Sequence, residues 1–204
     1  MTNPAIALIE RRVSANRFDA GHALTDAEIE ELTRLATRAP TAYNLQNWRF
    51  VAVRTPEAKA RLRTLAHGQA KVSDAAVTFI VCGLLPDHAA IPERLRPFVQ
   101  AGHMPADMVA GWQDGARAQY ADPRTARDEA VRSASLGAGT LIHAAEALGL
   151  ASGPMVGFDA EGVAREFGLG PNEVPVMLVA IGRAAPGNWP QKPRRPLTEV
   201  LDIA

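Results

Sequence analysis

An α+β domain is what this 204-residue chain predicts, and three observations carry that reading. Strand-like runs recur at residues 48–53, 76–84 and 174–181, each short and rich in β-branched or aromatic residues. Between them lie stretches whose apolar residues fall three and four apart, opened by helix-capping residues. Helical stretches dominate, and such a pattern favours a layered domain with helices against a sheet.

The elements follow in order. Asn3-Pro4 opens a first helix, asparagine as cap and proline at the first helical position, with Ile6, Leu8 and Ile9 ahead of Arg11-Arg12. Thr25-Asp26-Ala27-Glu28 is a capping box that starts a second helix carrying Ile29, Leu32 and Leu35 on one side. Pro40 bounds it, because the residue before a proline is driven out of the helical region. After the strand 48–53, Thr55-Pro56-Glu57 starts a helix to about residue 66, and 76–84 reads as an interior strand. Prolines and glycines then break the chain from Pro86 to Pro123, leaving short helices near 93–99 and 106–117. A long helix is predicted over 124–148, closed by Gly149. From Ala134 to Ala147 it is apolar or small nearly all round, which asks for burial on every face, within one chain or against a second subunit. Gly153-Pro154-Met155-Val156-Gly157 reads as a turn whose glycines let backbone amides approach a ligand. Phe158-Asp159 caps a helix ending near Gly168, and 174–181 is the third strand. The tail 184–196 holds four prolines, too many for regular structure, and is either frayed or laid across a partner.

Composition narrows the function. Lysine plus arginine and aspartate plus glutamate are 22 each, so no general field draws nucleic acid or an anionic membrane. Aromatics at 5% make a base-stacking platform a poor fit. The single cysteine, Cys82, excludes an intrachain disulfide and a cysteine-cluster metal site, and its apolar run marks it as a buried thiol. No apolar stretch reaches the roughly 18–20 residues of a membrane helix, and the first residues lack a leader's basic-then-apolar pattern. The expectation is one cytoplasmic domain spanning 1–204. Phosphate-binding G-x-x-x-x-G-K, a strand-borne G-x-G-x-x-G, the G-x-S-x-G elbow and H-E-x-x-H are all absent.

What remains suits a bound phosphate and a flat ligand. Arg12-Val13-Ser14 joins a guanidinium to a hydroxyl, a good oxyanion clamp. The loop Ala39-Pro40-Thr41-Ala42-Tyr43-Asn44-Leu45-Gln46-Asn47-Trp48 gathers donors and acceptors, and Lys192-Pro193-Arg194-Arg195 concentrates positive charge. In this order, with Pro154-Met155-Val156-Gly157-Phe158, they resemble the FMN-dependent nitroreductase family over nearly the whole chain. The loop is the most specific match, resembling that family's A-P-S-x-x-N-x-Q-P-W.

The resemblance implies a mixed central sheet flanked by helices in an intertwined homodimer, with an acceptor-pocket insertion at about 86–123 and a C-terminal arm at about 184–204. Arg12 and Ser14 would hold the FMN phosphate with Lys192 and Arg194. Asn16, beside them, stands where the family usually has arginine or lysine. Pro40, Thr41, Ala42 and Asn44 would approach from the second subunit. Gln69 and Lys71 would face the ribityl chain and pyrimidine edge, and backbone groups of Pro154, Met155, Val156 and Gly157 the ring near N5. NAD(P)H would be the co-substrate of a ping-pong reaction, and a nitroaromatic, quinone or similar small molecule the acceptor. No side-chain acid or base and no metal is implied. The same scaffold resembles reductases of small aldehydes or enones and dehalogenases, and a non-catalytic FMN-storage protein is the reading from a different class.

Overall fold

The computed structural model describes residues 3–204. The chain opens with α1 (Pro4–Arg11), α2 (Asp26–Ala36), β1 (Trp48–Val53), α3 (Pro56–Leu65), α4 (Ala70–Asp74) and β2 (Val77–Leu84). It continues with α5 (Ile91–Gln100), α6 (Met108–Gln119), α7 (Pro123–Ala147), β3 (Ala151–Met155), α8 (Ala160–Glu166) and β4 (Glu173–Gly182). Among the described residues, five of the eight α-helices start at a side-chain cap, and α4, α5 and α6 do not. Asn3, Thr25, Thr55, Asp122 and Asp159 each accept a backbone N–H of the first turn, and Thr25–Glu28 forms the reciprocal capping box.

The four strands pair antiparallel in the order β1-β2-β4-β3. A parallel bridge between Ser14 and Ser152 extends the sheet past β3, which gives it its mixed character. Alternation along the central strands divides the core in two. Val77, Phe79 and Val81 of β2, with Val179 and Ile181 of β4, pack against α2 and α7. Ile80 and Cys82, with Leu178 and Ala180, face α3, α4 and α8 on the other side. The sheet therefore lies between two helical layers, and Cys82 is fully buried as its apolar run implied. Gly83 marks where α7 comes closest: a Cβ there would lie 2.2 Å from the Ala130 carbonyl oxygen.

One expectation is corrected and another is narrowed. Residues 153–157 are not a free turn, because 151–155 form β3. The Gly153 position is filled by the chain rather than kept open for a ligand, since a Cβ would meet the Ala15 carbonyl oxygen at 2.4 Å. Nor is α7 buried on every face within one chain. Ala130, Ala134, Ala138, Leu141 and Ala145 are fully buried, whereas Leu136 is 44% exposed and His143 lies open.

A third, smaller core belongs to the segment between β2 and α7. Leu45, Ile91, Leu95, Met104 and Ala116 form it, with Tyr43, Val99, Val109 and Tyr120 packed against them. The α5–α6 hairpin is thus held to the body through the loop that precedes β1.

Candidate functional site

The segment after α1 runs beside β3. Ser14 bridges Ser152, and the Ala15 N–H donates to the Ser152 carbonyl at 2.8 Å. This sets Arg12 and Ser14 next to the chain that leads into Pro154–Gly157. The Arg12 guanidinium reaches the Ser14 hydroxyl at 3.5 Å.

The proline-rich tail is not frayed at this point; it folds back onto the same segment. The Asn188 side chain acts as a splice. Its Oδ1 accepts the N–H groups of Asn16 (2.8 Å) and Arg17 (3.0 Å), while its Nδ2 donates to the Arg17 carbonyl at 2.8 Å. The Gln191 amide donates to the Arg12 carbonyl at 3.1 Å, which brings Lys192 into the neighbourhood of Arg12. Nothing in the sequence singled out Asn188 or Gln191. Their only mark was a polar amide among prolines.

From the opposite side, the short helix α4 contributes Lys71, whose Nζ donates to Asn16 Oδ1 at 3.3 Å. Burial holds the Lys71 ammonium below its ordinary range, and the nearby Lys192 charge adds to the effect. Gln69, one residue before α4, donates to the Gly157 carbonyl at 2.9 Å. That contact ties the 154–157 segment to the same centre. Met155 is buried in the core, and the Val156 side chain points to solvent at 75% exposure, so backbone groups are what this stretch offers a ligand.

Charge makes the cluster distinctive. Among the described residues Arg12, Arg17, Lys71, Lys192 and Arg194 have no carboxylate within ion-pair distance, whereas Arg195 is paired with Glu199. Arg194 instead curls onto the tail, donating to the Lys192 carbonyl at 3.0 Å and Gln191 Oε1 at 2.9 Å. Lys192 lies over the Trp189 ring at 5.7 Å. A cavity of about 660 Å³ opens here, walled by Asn16, Arg17, Ala70, Gly187, Asn188, Trp189 and Lys192, with Asp74 as its single carboxylate. Of the unpaired cations, Arg17 and Lys192 line this cavity, and cations without carboxylate partners at a cavity suit an anion.

Pro40, Thr41, Ala42 and Asn44 lie elsewhere. No hydrogen bond or ion pair joins them to the Arg12–Lys71 cluster among the described residues. Their loop is tightly wound: the Thr41 hydroxyl accepts the Gln46 N–H at 2.9 Å, and Tyr43, Asn44 and Gln46 all take left-handed φ values of 53°, 52° and 45°. For side chains with a Cβ each such residue costs roughly 1 kcal/mol or more. Asn47, at the end of the loop, is buried and donates to the Leu84 carbonyl at 3.0 Å, so it anchors the loop to the sheet. A separate cavity of about 390 Å³ is walled by Thr41, Tyr43, Asn44, Leu95, Phe98 and Trp112, with no charged side chain. Among the described residues no group of histidine, cysteine and carboxylates could hold a metal ion, and no helix is long and apolar enough to cross a membrane.

Known proteins fit this architecture. The Nitroreductase family profile matches residues 9–183. The chain is 38% identical over 196 residues to a protein of Thermus thermophilus named NADH dehydrogenase, covering 96% of this chain and 92% of that one. It is 31% identical over 201 residues to YodC of Bacillus subtilis, named as an NAD(P)H nitroreductase, covering 98% of each. A crystal structure from Staphylococcus epidermidis, of a protein named as an NAD(P)H:FMN oxidoreductase, superposes with a TM-score of 0.91 at 25% identity, covering 100% of this chain and 97% of that one.

Proposed function

We infer, since this chain belongs to the nitroreductase family of oxidoreductases, that it binds FMN and uses NAD(P)H to reduce small planar acceptors such as nitroaromatics or quinones in a ping-pong reaction. The observation that carries this reading is the gathering of Arg12, Ser14, Lys71 and Lys192 around one centre, with their charges unpaired by any carboxylate. A flavin phosphate supplies the missing anion, and the residues fit it. Arg12 and Ser14 offer a guanidinium and a hydroxyl, and Lys192 and Arg194 offer charge from the tail. Asn16 is neutral, but Arg17 at the same cavity wall restores a positive charge to that edge.

When bound, FMN supplies the hydride-accepting and electron-donating chemistry. The protein binds, orients and shields. Lys71 and Gln69 present an ammonium and an amide at the mouth of α4, where a cation stabilises negative charge developing on a reduced ring. The main-chain groups of Pro154, Met155, Val156 and Gly157 give donors and acceptors that do not depend on side-chain identity. No side-chain acid or base is required of the chain, because water can deliver the proton.

A homodimer completes the proposal. The loop bearing Pro40, Thr41, Ala42 and Asn44 stands apart from the anion cluster in one chain, which is what a site shared across two subunits requires. Exposed apolar side chains support the same reading: Leu136 on α7, Ile6 and Ile9 on α1, and Leu197, Val200, Leu201 and Ile203 in the arm. The uncharged cavity beside that loop, with Phe98 and Trp112, is where a flat acceptor fits.

The test is Arg12→Ala. A charge-assisted hydrogen bond is worth about 1.5–3 kcal/mol, so FMN affinity falls roughly 10- to 150-fold. The variant purifies nearly colourless and unfolds at the temperature of the apo parent. Full stoichiometric flavin in the variant defeats the phosphate assignment. NAD(P)H consumption with nitrofurazone, menadione and a simple enone then separates a reductase from a storage protein, which would consume none.

A further inference from the structure

The loop before β1 combines three left-handed, non-glycine residues within four positions, Tyr43, Asn44 and Gln46. Such a backbone persists only where its surroundings over-determine it. Those surroundings are the α5–α6 hairpin. The Leu45 side chain is fully buried in the hairpin's core. The Tyr43 ring meets Trp112 edge-on at 6.0 Å and Tyr120 at 6.2 Å, and its hydroxyl donates to Gln119 Oε1 at 2.8 Å. The remaining attachment is a charge: the Arg94 guanidinium on α5 donates to the Leu45 carbonyl.

Arg94 spends its charge on the main chain. Among the described residues it has no carboxylate partner, and its neighbour Glu93 pairs with Arg96 instead. It is half-buried, so its charge is committed to one main-chain oxygen in the middle of the strained turn. A charged donor makes a stronger bond to a carbonyl than a neutral one does. Its target lies between Asn44 and Gln46, both of them left-handed.

We propose that Arg94 is a positioning residue for the flavin site: by fixing the Leu45 carbonyl it locks the turn that presents Thr41 and Asn44, and makes that turn and the α5–α6 hairpin one mechanical unit. This rests on the reading of Thr41 and Asn44 as flavin contacts. Arg94 itself touches neither flavin nor acceptor. Loss of its charge relaxes the turn without disturbing the sheet.

The experiment compares the full-length parent with Arg94→Met, which keeps the apolar stem, and Arg94→Lys, which keeps a charged donor. Amide hydrogen exchange in 43–47 is read alongside that in β2 and β4, and FMN affinity is titrated on the apo protein by flavin fluorescence. In Arg94→Met, exchange at 43–47 quickens at least tenfold and FMN binds about tenfold more weakly, while β2 and β4 exchange as in the parent. Arg94→Lys stays within threefold of the parent in both. Parent-like exchange at 43–47 in Arg94→Met overturns the lock, whatever FMN does. Fast loop exchange with undiminished FMN affinity overturns the link to the flavin site. Should the parent bind no FMN, the functional reading fails, and the exchange comparison still decides the lock. If Arg94→Met does not fold, Arg94→Gln carries the same comparison.

Discussion

Single residues in this protein divide sharply into those the chain needs for packing and those it leaves free for a ligand. Cys82 belongs to the first kind. A free thiol ionises near pH 9, and burial between the sheet and α3 pushes that of Cys82 up to about 12, with Glu173 adding repulsion. Between those values the unfolded chain has shed the proton and the folded chain retains it, so the unfolded state binds fewer protons and stability falls as pH rises. The loss is roughly 1 kcal/mol for each pH unit above 9. Denaturant titrations from pH 8 to 11 show this decline, and Cys82→Ala, less stable at pH 8, closes the gap to the parent as pH climbs. The lysine at position 71 behaves oppositely. Its depressed ammonium marks a charge held partly out of water without a carboxylate partner. At this scale the sequence was informative where chemistry is local: Arg12 and Ser14 stood out as a guanidinium beside a hydroxyl, whereas Lys71 came only through the family resemblance. Asn188, Gln191 and Arg94 were not, because each acts on main-chain atoms far away in sequence, which no local pattern encodes.

Among the elements, the helices were the most readable and the strands less so. Capping residues announced α1, α2, α3 and α8 because a side chain that satisfies a free N–H is a local event. β3 was read as a turn because Gly153 and Pro154 are poor strand formers by propensity. Its pairing with β4 and the close approach of Ala15 override that preference. In α7 the stretch 134–147 is small and apolar, but one chain alone does not bury all of it. Its small residues do let the sheet approach, as Gly137 shows by lying against Phe50 and Trp48, but one face carrying Leu136, Gly139 and Thr140 stays open or half-open. Burial of that face by a second copy predicts that Leu136→Glu halves the mass seen by light scattering while the far-ultraviolet circular dichroism is unchanged. A variant that keeps the parent's mass places the dimer interface elsewhere.

On the scale of the whole molecule, helices cover both faces of one four-stranded sheet, and the chain's early and late segments meet at a single edge. The fold class was legible because hydrophobic period and turn residues suffice to count layers. The path of the tail was not, since prolines report only what a segment cannot form. The arm divides into two parts with different duties. Residues 186–195 carry the contacts to Asn16, Arg17 and Arg12, whereas Leu197, Val200, Leu201 and Ile203 lie exposed. Truncation after Arg195 therefore weakens self-association in sedimentation and spares FMN affinity in the monomer-corrected titration. Truncation after Ala185 abolishes tight FMN binding, yet shifts the apo melting temperature by only a few degrees, because little apolar surface is lost. The Asn188 splice has a last consequence. It joins residues some 172 positions apart, so the anion cradle closes only after the intervening chain has folded, at the entropic cost of a very long loop. On the proposed reading, a phosphate held by Arg12 on one side of that seam and Lys192 on the other would act as a clasp. Its departure would then be timed by the brief parting of two ends of the polypeptide, with no need for the sheet beneath them to move.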